Sequence, residues 1–204
     1  MSSMISIDHL DAAARFAMLS WTIAPRPIAW ITSVSASREN NLAPFSFFTI
    51  ASTDPLVLVV AIEPRPDGSP KDTLSNILAT RQFVVQIAET DRVDEVARSG
   101  EDSPPEFDEL AALDLPLSKA ARVLPLVIDG CAAVFECELV DTRSFGRETL
   151  VFGEVVTARI AERLITESGD IDKNNVRPLG RIGSTFAAST PLSRRSAVTA
   201  RAES

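Results

Sequence analysis

Residues 25–48 read PRPIAWITSVSASRENNLAPFSFF, and this stretch decides the prediction of the fold. The run 28–34 is rich in β-branched residues, and Pro27 can start a strand but cannot stand in its middle. A polar turn at residues 37–40 separates this run from a second apolar and aromatic run, residues 42–52. Two such runs joined by a short polar loop predict an antiparallel hairpin.

The second run carries three phenylalanines close together. Because successive side chains of a strand point to opposite faces, we expect Phe45 and Phe47 on one face and Ser46 and Phe48 on the other. At least one of these rings therefore belongs to the core.

The rest of the chain adds further strands and short helices. Strands are predicted at residues 55–63, 82–88 and 149–160, the last with a bulge or close approach at Gly153, and residues 123–140 are predicted to form one or two strands. Helices are predicted at residues 6–18, 71–81, 93–98 and 106–112. Ser6 or Asp8 is the expected cap of the first helix, and Asp72 that of the second. Strands follow strands without regular helix alternation, which predicts an antiparallel barrel or sandwich and not a doubly wound sheet.

Composition and charge limit the class of protein. The chain has 204 residues, of which 45% are hydrophobic and 24% charged, as in ordinary globular domains. We expect one domain over residues 1–190 and a polar, flexible tail over residues 191–204. The formal net charge of −8 lacks the basic excess of a nucleic-acid binder.

Cysteines, histidine and hydropathy argue against other classes. Cys131 and Cys137 would stand roughly 20 Å apart on one strand, too far for a disulfide, so free thiols are expected. With His9 as the single histidine, no structural zinc site is expected. No run approaches the roughly 20 apolar residues of a membrane helix, and no secretory signal is visible. A cytoplasmic protein without membrane association is therefore the expectation.

The usual catalytic motifs do not occur. The sequence has no Gly-x-Gly-x-x-Gly and no Gly-x-Ser-x-Gly, and one histidine excludes histidine pairs. We predict no catalytic side chain; a bound cofactor would supply the chemistry.

Three segments are compatible with a phosphate-bearing aromatic cofactor. Hydroxyls at Thr32-Ser33 can donate to phosphate oxygens, residues 41–48 allow close approach of a flat ring, and Lys71-Asp72-Thr73 starts a helix, where free N–H groups suit an anion. Each segment also has an ordinary interpretation, as strand residues, an aromatic core strand and a capped helix. Their order in one chain is more informative than any one of them.

These segments carry a resemblance to a known family. Pro25–Trp30 (PRPIAW), Asn41–Phe48 (NLAPFSFF), Lys71-Asp72-Thr73 with Asn76, and Arg177–Arg181 (RPLGR) stand in the order found in the flavin reductase-like family with an FMN-binding split β-barrel. Glu106-Phe107 matches an acidic Glu-Phe segment of the same family. The resemblance spans roughly residues 20–187 and implies a mainly β, antiparallel split barrel with short helical insertions.

The resemblance also implies a set of cofactor-binding residues. Thr32 and Ser33 would lie beside the FMN phosphate, and Lys71, Asp72 and Thr73 would complete that end. The ring and ribityl chain would be lined by Asn41, Leu42, Ala43, Pro44 and Ser46. Arg26, Trp30 and Arg181 are further candidates, Arg181 for an anion near the ring or the nucleotide.

The activity implied is that of an oxidoreductase. NAD(P)H would pass hydride to bound FMN, and electrons would go on to a small-molecule acceptor or to a partner monooxygenase. The resemblance further implies a homodimer with flavin at the subunit interface. Phe186 stands where the family often has an aromatic hydroxyl or histidine. Two alternatives stay open: an FMN-binding electron carrier that does not itself oxidise NAD(P)H, and a non-catalytic split-barrel binding module.

Overall fold

The computed structural model describes residues 3–101 and 108–191, which form three antiparallel sheets and four α-helices. The helices are α1 (Ala12–Thr22), α2 (Asp72–Thr80), α3 (Val93–Arg98) and α4 (Glu109–Ala112). The strands are β1 (Arg26–Pro27), β2 (Ala29–Val34), β3 (Asn40–Phe45), β4 (Phe48–Thr53), β5 (Leu56–Ile62), β6 (Gln82–Ile87), β7 (Leu117–Lys119), β8 (Leu126–Ile128), β9 (Ala133–Phe145), β10 (Glu148–Ile160), β11 (Leu179–Ile182) and β12 (Thr185–Ala188).

The main sheet has seven strands in the order β3-β2-β6-β9-β10-β5-β4. Strands β2 and β3 form the predicted hairpin. The strand predicted over residues 42–52 is two strands, because β3 pairs with β2 at one edge while β4 pairs with β5 at the other. The chain passes between the edges through a bend at Ser46 and Phe47. The sheet therefore curls until β3 contacts β5, which makes a barrel.

The same bend overturns the expected alternation of the phenylalanines. Phe45 is buried against Val60 and Ile77 in the core, whereas Phe47 is 38% exposed. The two rings do not share a face, since residues on either side of a bend do not follow one pleat.

Two helix starts differ from the predictions. Helix α1 begins after Asp11, whose carboxylate accepts the Ala14 N–H at 2.7 Å, and not at Ser6 or Asp8. Asp72 is not the cap of α2, because the helix begins with it and its carboxylate binds Arg65 Nη2 at 2.5 Å. The predicted helix 106–112 is observed as α4. Residues 106 and 107 and the predicted tail beyond residue 191 lie outside the described residues.

The long hairpin β9–β10 confirms the close approach predicted at Gly153. A Cβ there would lie 2.3 Å from Phe83 Cζ on β6, and the β9–β10 register shifts beside it. Cys131 and Cys137 are free thiols, as predicted, and both are buried. Burial raises the pKa of the Cys131 thiol to about 12, which makes it unreactive at neutral pH.

Both faces of the main sheet are covered. Every residue of β2 is buried, with Trp30 packed in one core cluster and Ile31 in the other. Helix α2 adds Leu74 and Ile77 to the second cluster. A separate small sheet, β1-β11-β12, places Arg26 opposite Arg181.

Candidate functional site

A cleft runs along the open edge of β3, where two cavities adjoin. One, of about 90 Å³, is lined mainly by β3 and the start of α2; the other, of about 230 Å³, extends towards β11 and β12. Both are lined by Pro44, Phe45, Lys71 and Gly100. We call this continuous groove the β3 cleft.

The β3 cleft brings together most of the predicted cofactor-binding residues. They are Asn41, Leu42, Ala43, Pro44, Lys71, Asp72 and Thr73 in the smaller cavity, and Pro44, Ser46, Lys71 and Arg181 in the larger one. Thr32, Ser33, Arg26 and Trp30 do not line either cavity.

At the α2 end of the cleft, four polar side chains are joined by hydrogen bonds. Asn41 Nδ2 donates to Thr73 Oγ1 at 2.9 Å and lies 3.3 Å from Ser33 Oγ. Asn76 Nδ2 also donates to Ser33 Oγ, at 3.2 Å. Ser33 is therefore buried behind Asn41 and holds it in place. The Ser33 hydroxyl thus acts on the cleft through Asn41 and not by direct contact.

Thr32 is a correction to the predicted site. Its side chain points to the opposite face of β2, is fully buried, and its Oγ1 donates to the Leu126 carbonyl at 2.6 Å. Because neighbouring strand residues face opposite sides, Thr32 and Ser33 cannot both face one cleft. The hydroxyl of Thr32 therefore makes hydrogen bonds with polar groups inside the core and not with a ligand in the cleft.

Trp30 is likewise placed in the core. Its ring is fully buried and Nε1 donates to Ser99 Oγ at 2.8 Å. Ser99 and Gly100 form the wall of the cleft that faces β3, and a Cβ on Gly100 would lie 3.0 Å from Pro44 Cγ. Trp30 therefore positions a wall of the cleft without lining it.

The backbone of β3 is open to the cleft. The Leu42 N–H donates to the Glu109 carboxylate at 3.2 Å, so its main chain points away from β2. By alternation the main chain of Pro44 points the same way, and proline is suited to such an edge because it has no N–H.

Glu109 is a cleft residue that the sequence did not reveal. The side chain is half-buried, and burial raises its pKa, with the nearby Asp108 and Asp72 carboxylates adding to the rise and backbone hydrogen bonds opposing it. It lies in an acidic stretch that, as a sequence, is typical of a solvated surface. Only the packing of α4 beside β3 distinguishes it from its acidic neighbours.

The far end of the cleft contains two guanidinium groups. Arg26 is buried; it donates to the backbone carbonyls of Ser20 and of Gly183, the latter at 2.8 Å, and its Nε lies 3.3 Å from Ser46 Oγ. It thus fixes Ser46 from behind. Arg181 lines the cavity, with its Cζ 4.8 Å from the centre of the Phe186 ring.

The arrangement is matched by a family model for the flavin reductase like domain, which covers residues 21–178. The chain belongs to this family. The match includes β1 to β10 and every segment of the β3 cleft except Phe16 of α1 and the Arg181–Phe186 end.

Three solved structures share the fold. Nitrilotriacetate monooxygenase component B from Bacillus cereus is 25% identical, with a TM-score of 0.88 over 96% of this chain and 100% of that one. The 2-nitrobenzoate 2-nitroreductase NbaA of Pseudomonas fluorescens is 25% identical, with a TM-score of 0.83 over 98% and 100%. A Shewanella frigidimarina protein with a split barrel domain is 15% identical, with a TM-score of 0.79 over 95% and 98%. The fold is therefore the split β-barrel predicted from the sequence.

Within residues 3–101 and 108–191, no helix is both long and apolar enough to cross a bilayer.

Proposed function

We propose that the protein binds FMN in the β3 cleft and acts as an oxidoreductase that takes hydride from NAD(P)H. The observation that carries this proposal is the continuity of the cleft. A helix start with a lysine and an open strand edge adjoin in that order, and an aromatic cavity follows them. The helix start matches a phosphate, and the strand edge matches a ribityl chain and the polar edge of a flat ring.

The α2 end fits a phosphate. Helix α2 has nine residues, and its N-cap position, Lys71, makes no capping hydrogen bond with its side chain, so the first N–H groups and the positive end of the helix dipole can face an anion. The Lys71 ammonium, 3.7 Å from Glu63 Oε1, adds a positive charge. The Thr73 hydroxyl accepts from Asn41 and can donate its own proton to a phosphate oxygen.

The middle of the cleft fits a flat polar edge. The main chain of Leu42 and, by alternation, that of Pro44 face the cleft, where the Leu42 N–H donates to the Glu109 carboxylate. The Ser99-Gly100 wall approaches Pro44 closely. Backbone groups of β3 would make hydrogen bonds with the polar edge of a ring bound here, and pairing with β2 in the hairpin fixes the positions of these groups.

The protein's part in the reaction is to bind, orient and exclude water. A bound flavin supplies the hydride- and electron-transfer chemistry. The chain holds its phosphate end at Lys71 and Thr73, presents the β3 edge to the ring, and places the Arg181 guanidinium at the far end of the cavity.

A homodimer is part of this proposal. The face concerned lies beside the larger cavity of the β3 cleft. Helix α1 borders it with exposed apolar side chains: Phe16, Leu19 and Trp21 are 49%, 45% and 56% exposed. We propose that a second copy covers this face and completes the site, and light scattering on the purified protein tests it by mass.

The comparisons support two kinds of electron acceptor. The 25% identity to nitrilotriacetate monooxygenase component B supports delivery of electrons to a partner monooxygenase. The same identity to a nitroreductase supports a small organic acceptor.

The experiment is an anaerobic titration. Purified protein is first titrated with FMN, and we expect saturable binding with a perturbed visible spectrum. NADPH and NADH are then added in separate samples, and bleaching of the bound flavin supports the oxidoreductase. Binding without bleaching by either nucleotide would instead identify an electron carrier, and a protein that ignores FMN would overturn the proposal.

A further inference from the structure

Arg26 and Arg181 form a pair of like charges at the far end of the β3 cleft. They stand opposite each other in the β1–β11 ladder, and neither takes part in an ion pair among the described residues. Burial lowers the pKa of Arg26, and the Arg181 charge lowers it further. Two cations in such proximity favour the binding of an anion beside them.

The two arginines differ in what remains available for a ligand. The Arg26 guanidinium already donates hydrogen bonds to Ser20, Gly183 and Ser46. Arg181 Nε is shielded from solvent and is without a hydrogen-bond partner in the described part of the chain. A shielded donor without an acceptor costs free energy. Because Arg181 lines the cavity and Arg26 does not, Arg181 is the arginine that a ligand could contact.

The walls around Arg181 are aromatic. Phe16, Phe47 and Phe186 line the same cavity. The rings of Phe16 and Phe47 are stacked with centroids 6.0 Å apart and planes 26° apart, and Phe186 lies under the Arg181 guanidinium. Flat rings of this kind favour a flat aromatic ligand over a branched one.

The cavity also contains two carboxylates, and they lie towards its other end. Glu63 and Glu148 line a neighbouring cavity together with Lys71 and Phe16, whereas Arg181, Phe47 and Phe186 do not line that cavity. Glu63 Oε1 is 3.7 Å from Lys71 Nζ. Among the described residues, Arg181 forms an ion pair with neither carboxylate.

We propose that this end of the cleft binds a planar aromatic carboxylate, whose carboxylate is held by the Arg181 guanidinium and whose ring lies among Phe16, Phe47 and Phe186. The planar fork of arginine matches a carboxylate in two parallel hydrogen bonds. The inference rests on the proposed function, since FMN bound along β3 would leave this end for the second ligand. A phosphate of NADPH is the other possible source of an anion, and the test separates the two.

The test uses the FMN-loaded protein with benzoate and benzamide as probes. The two molecules have nearly the same shape, but only benzoate carries a charge. We expect benzoate to perturb the flavin spectrum saturably and to bind about tenfold or more tightly than benzamide, as charge-assisted hydrogen bonds favour. Arg181→Gln should abolish this preference, and Arg181→Lys should restore part of it. The matched control is Arg147→Gln, which removes a cation near the Glu148 end and should keep the preference.

Several results would overturn the inference. Equal binding of benzoate and benzamide to the unchanged protein would do so without any variant, which decides the matter even if Arg181→Gln does not fold. A full benzoate preference in Arg181→Gln would do the same. If that variant instead raises only the Kd of NADPH, the anion is the nucleotide's phosphate. Failure of the proposed function is a different result, because FMN itself would then not bind.

Discussion

Asn41 Nδ2 lies 2.9 Å from Thr73 Oγ1, and this hydrogen bond joins the edge strand β3 to the first turn of α2. The two elements that would hold opposite parts of a cofactor are therefore connected before any ligand arrives. Thr73 is almost fully buried, so its hydroxyl depends on Asn41 for a partner. The smaller cavity of the cleft is a preorganised part of the fold.

Asn41→Leu should lower the free energy of unfolding, because it removes the hydrogen bonds between β3 and α2. The substitution keeps the side-chain volume but leaves Thr73 and Ser33 without the amide, at a cost of about 1–3 kcal/mol for unsatisfied buried groups. Chemical unfolding with urea measures the loss. Asn40→Leu, at the neighbouring position that starts β3 and is likewise half-buried, is the control and should change stability by less than half as much. Equal losses would show that the junction contributes nothing specific.

Lys71→Ala should weaken FMN binding about tenfold or more, because a charge-assisted contact to phosphate contributes about 1.5–3 kcal/mol. Fluorescence titration of the flavin gives the Kd. Riboflavin, which has no phosphate, is the matched ligand control, and its affinity should change little in the same variant. An unchanged Kd for FMN would remove Lys71 from the site.

Thr32→Val should separate stability from cofactor binding. The hydroxyl contacts the Leu126 carbonyl and the Gln86 side chain in the core, so its loss should cost about 1–3 kcal/mol of the free energy of unfolding. FMN affinity should stay within about twofold of that of the unchanged protein, since the side chain faces away from the cleft. A loss of affinity like that of Lys71→Ala would contradict this placement.

The contrast between Thr32 and Ser33 shows where the sequence was informative. The hairpin was predictable because two β-rich runs and a polar turn are local features, and the motif order placed residues 41–46 and 71–73 together correctly. Every residue of β2 is buried, so its pattern gives no sign of which hydroxyl faces the cleft. The break at Ser46 was hidden for a related reason: an unbroken apolar run does not show where a chain changes from one sheet edge to the other.

Glu109→Gln should change how stability depends on pH. The folded state raises the pKa of this carboxyl above its ordinary 4.5, chiefly by burial, so the folded protein binds the proton more tightly than the unfolded chain does. The contribution to stability is therefore complete below about pH 4.5 and is lost as the pH rises through the folded-state pKa. Glutamine stays neutral and can still accept the Leu42 N–H through its side-chain oxygen, so the variant should not show this loss.

Urea unfolding of both proteins at closely spaced pH values checks this prediction. The stability of the unchanged protein relative to Glu109→Gln should fall as the pH rises above 4.5 and then level off. Glu109→Asp keeps a carboxylate and serves as the control, because a shorter acid at the same place should retain a pH-dependent difference from the glutamine variant. A difference between the unchanged protein and Glu109→Gln that is constant across this range would show that Glu109 ionises equally readily in the folded and unfolded chains.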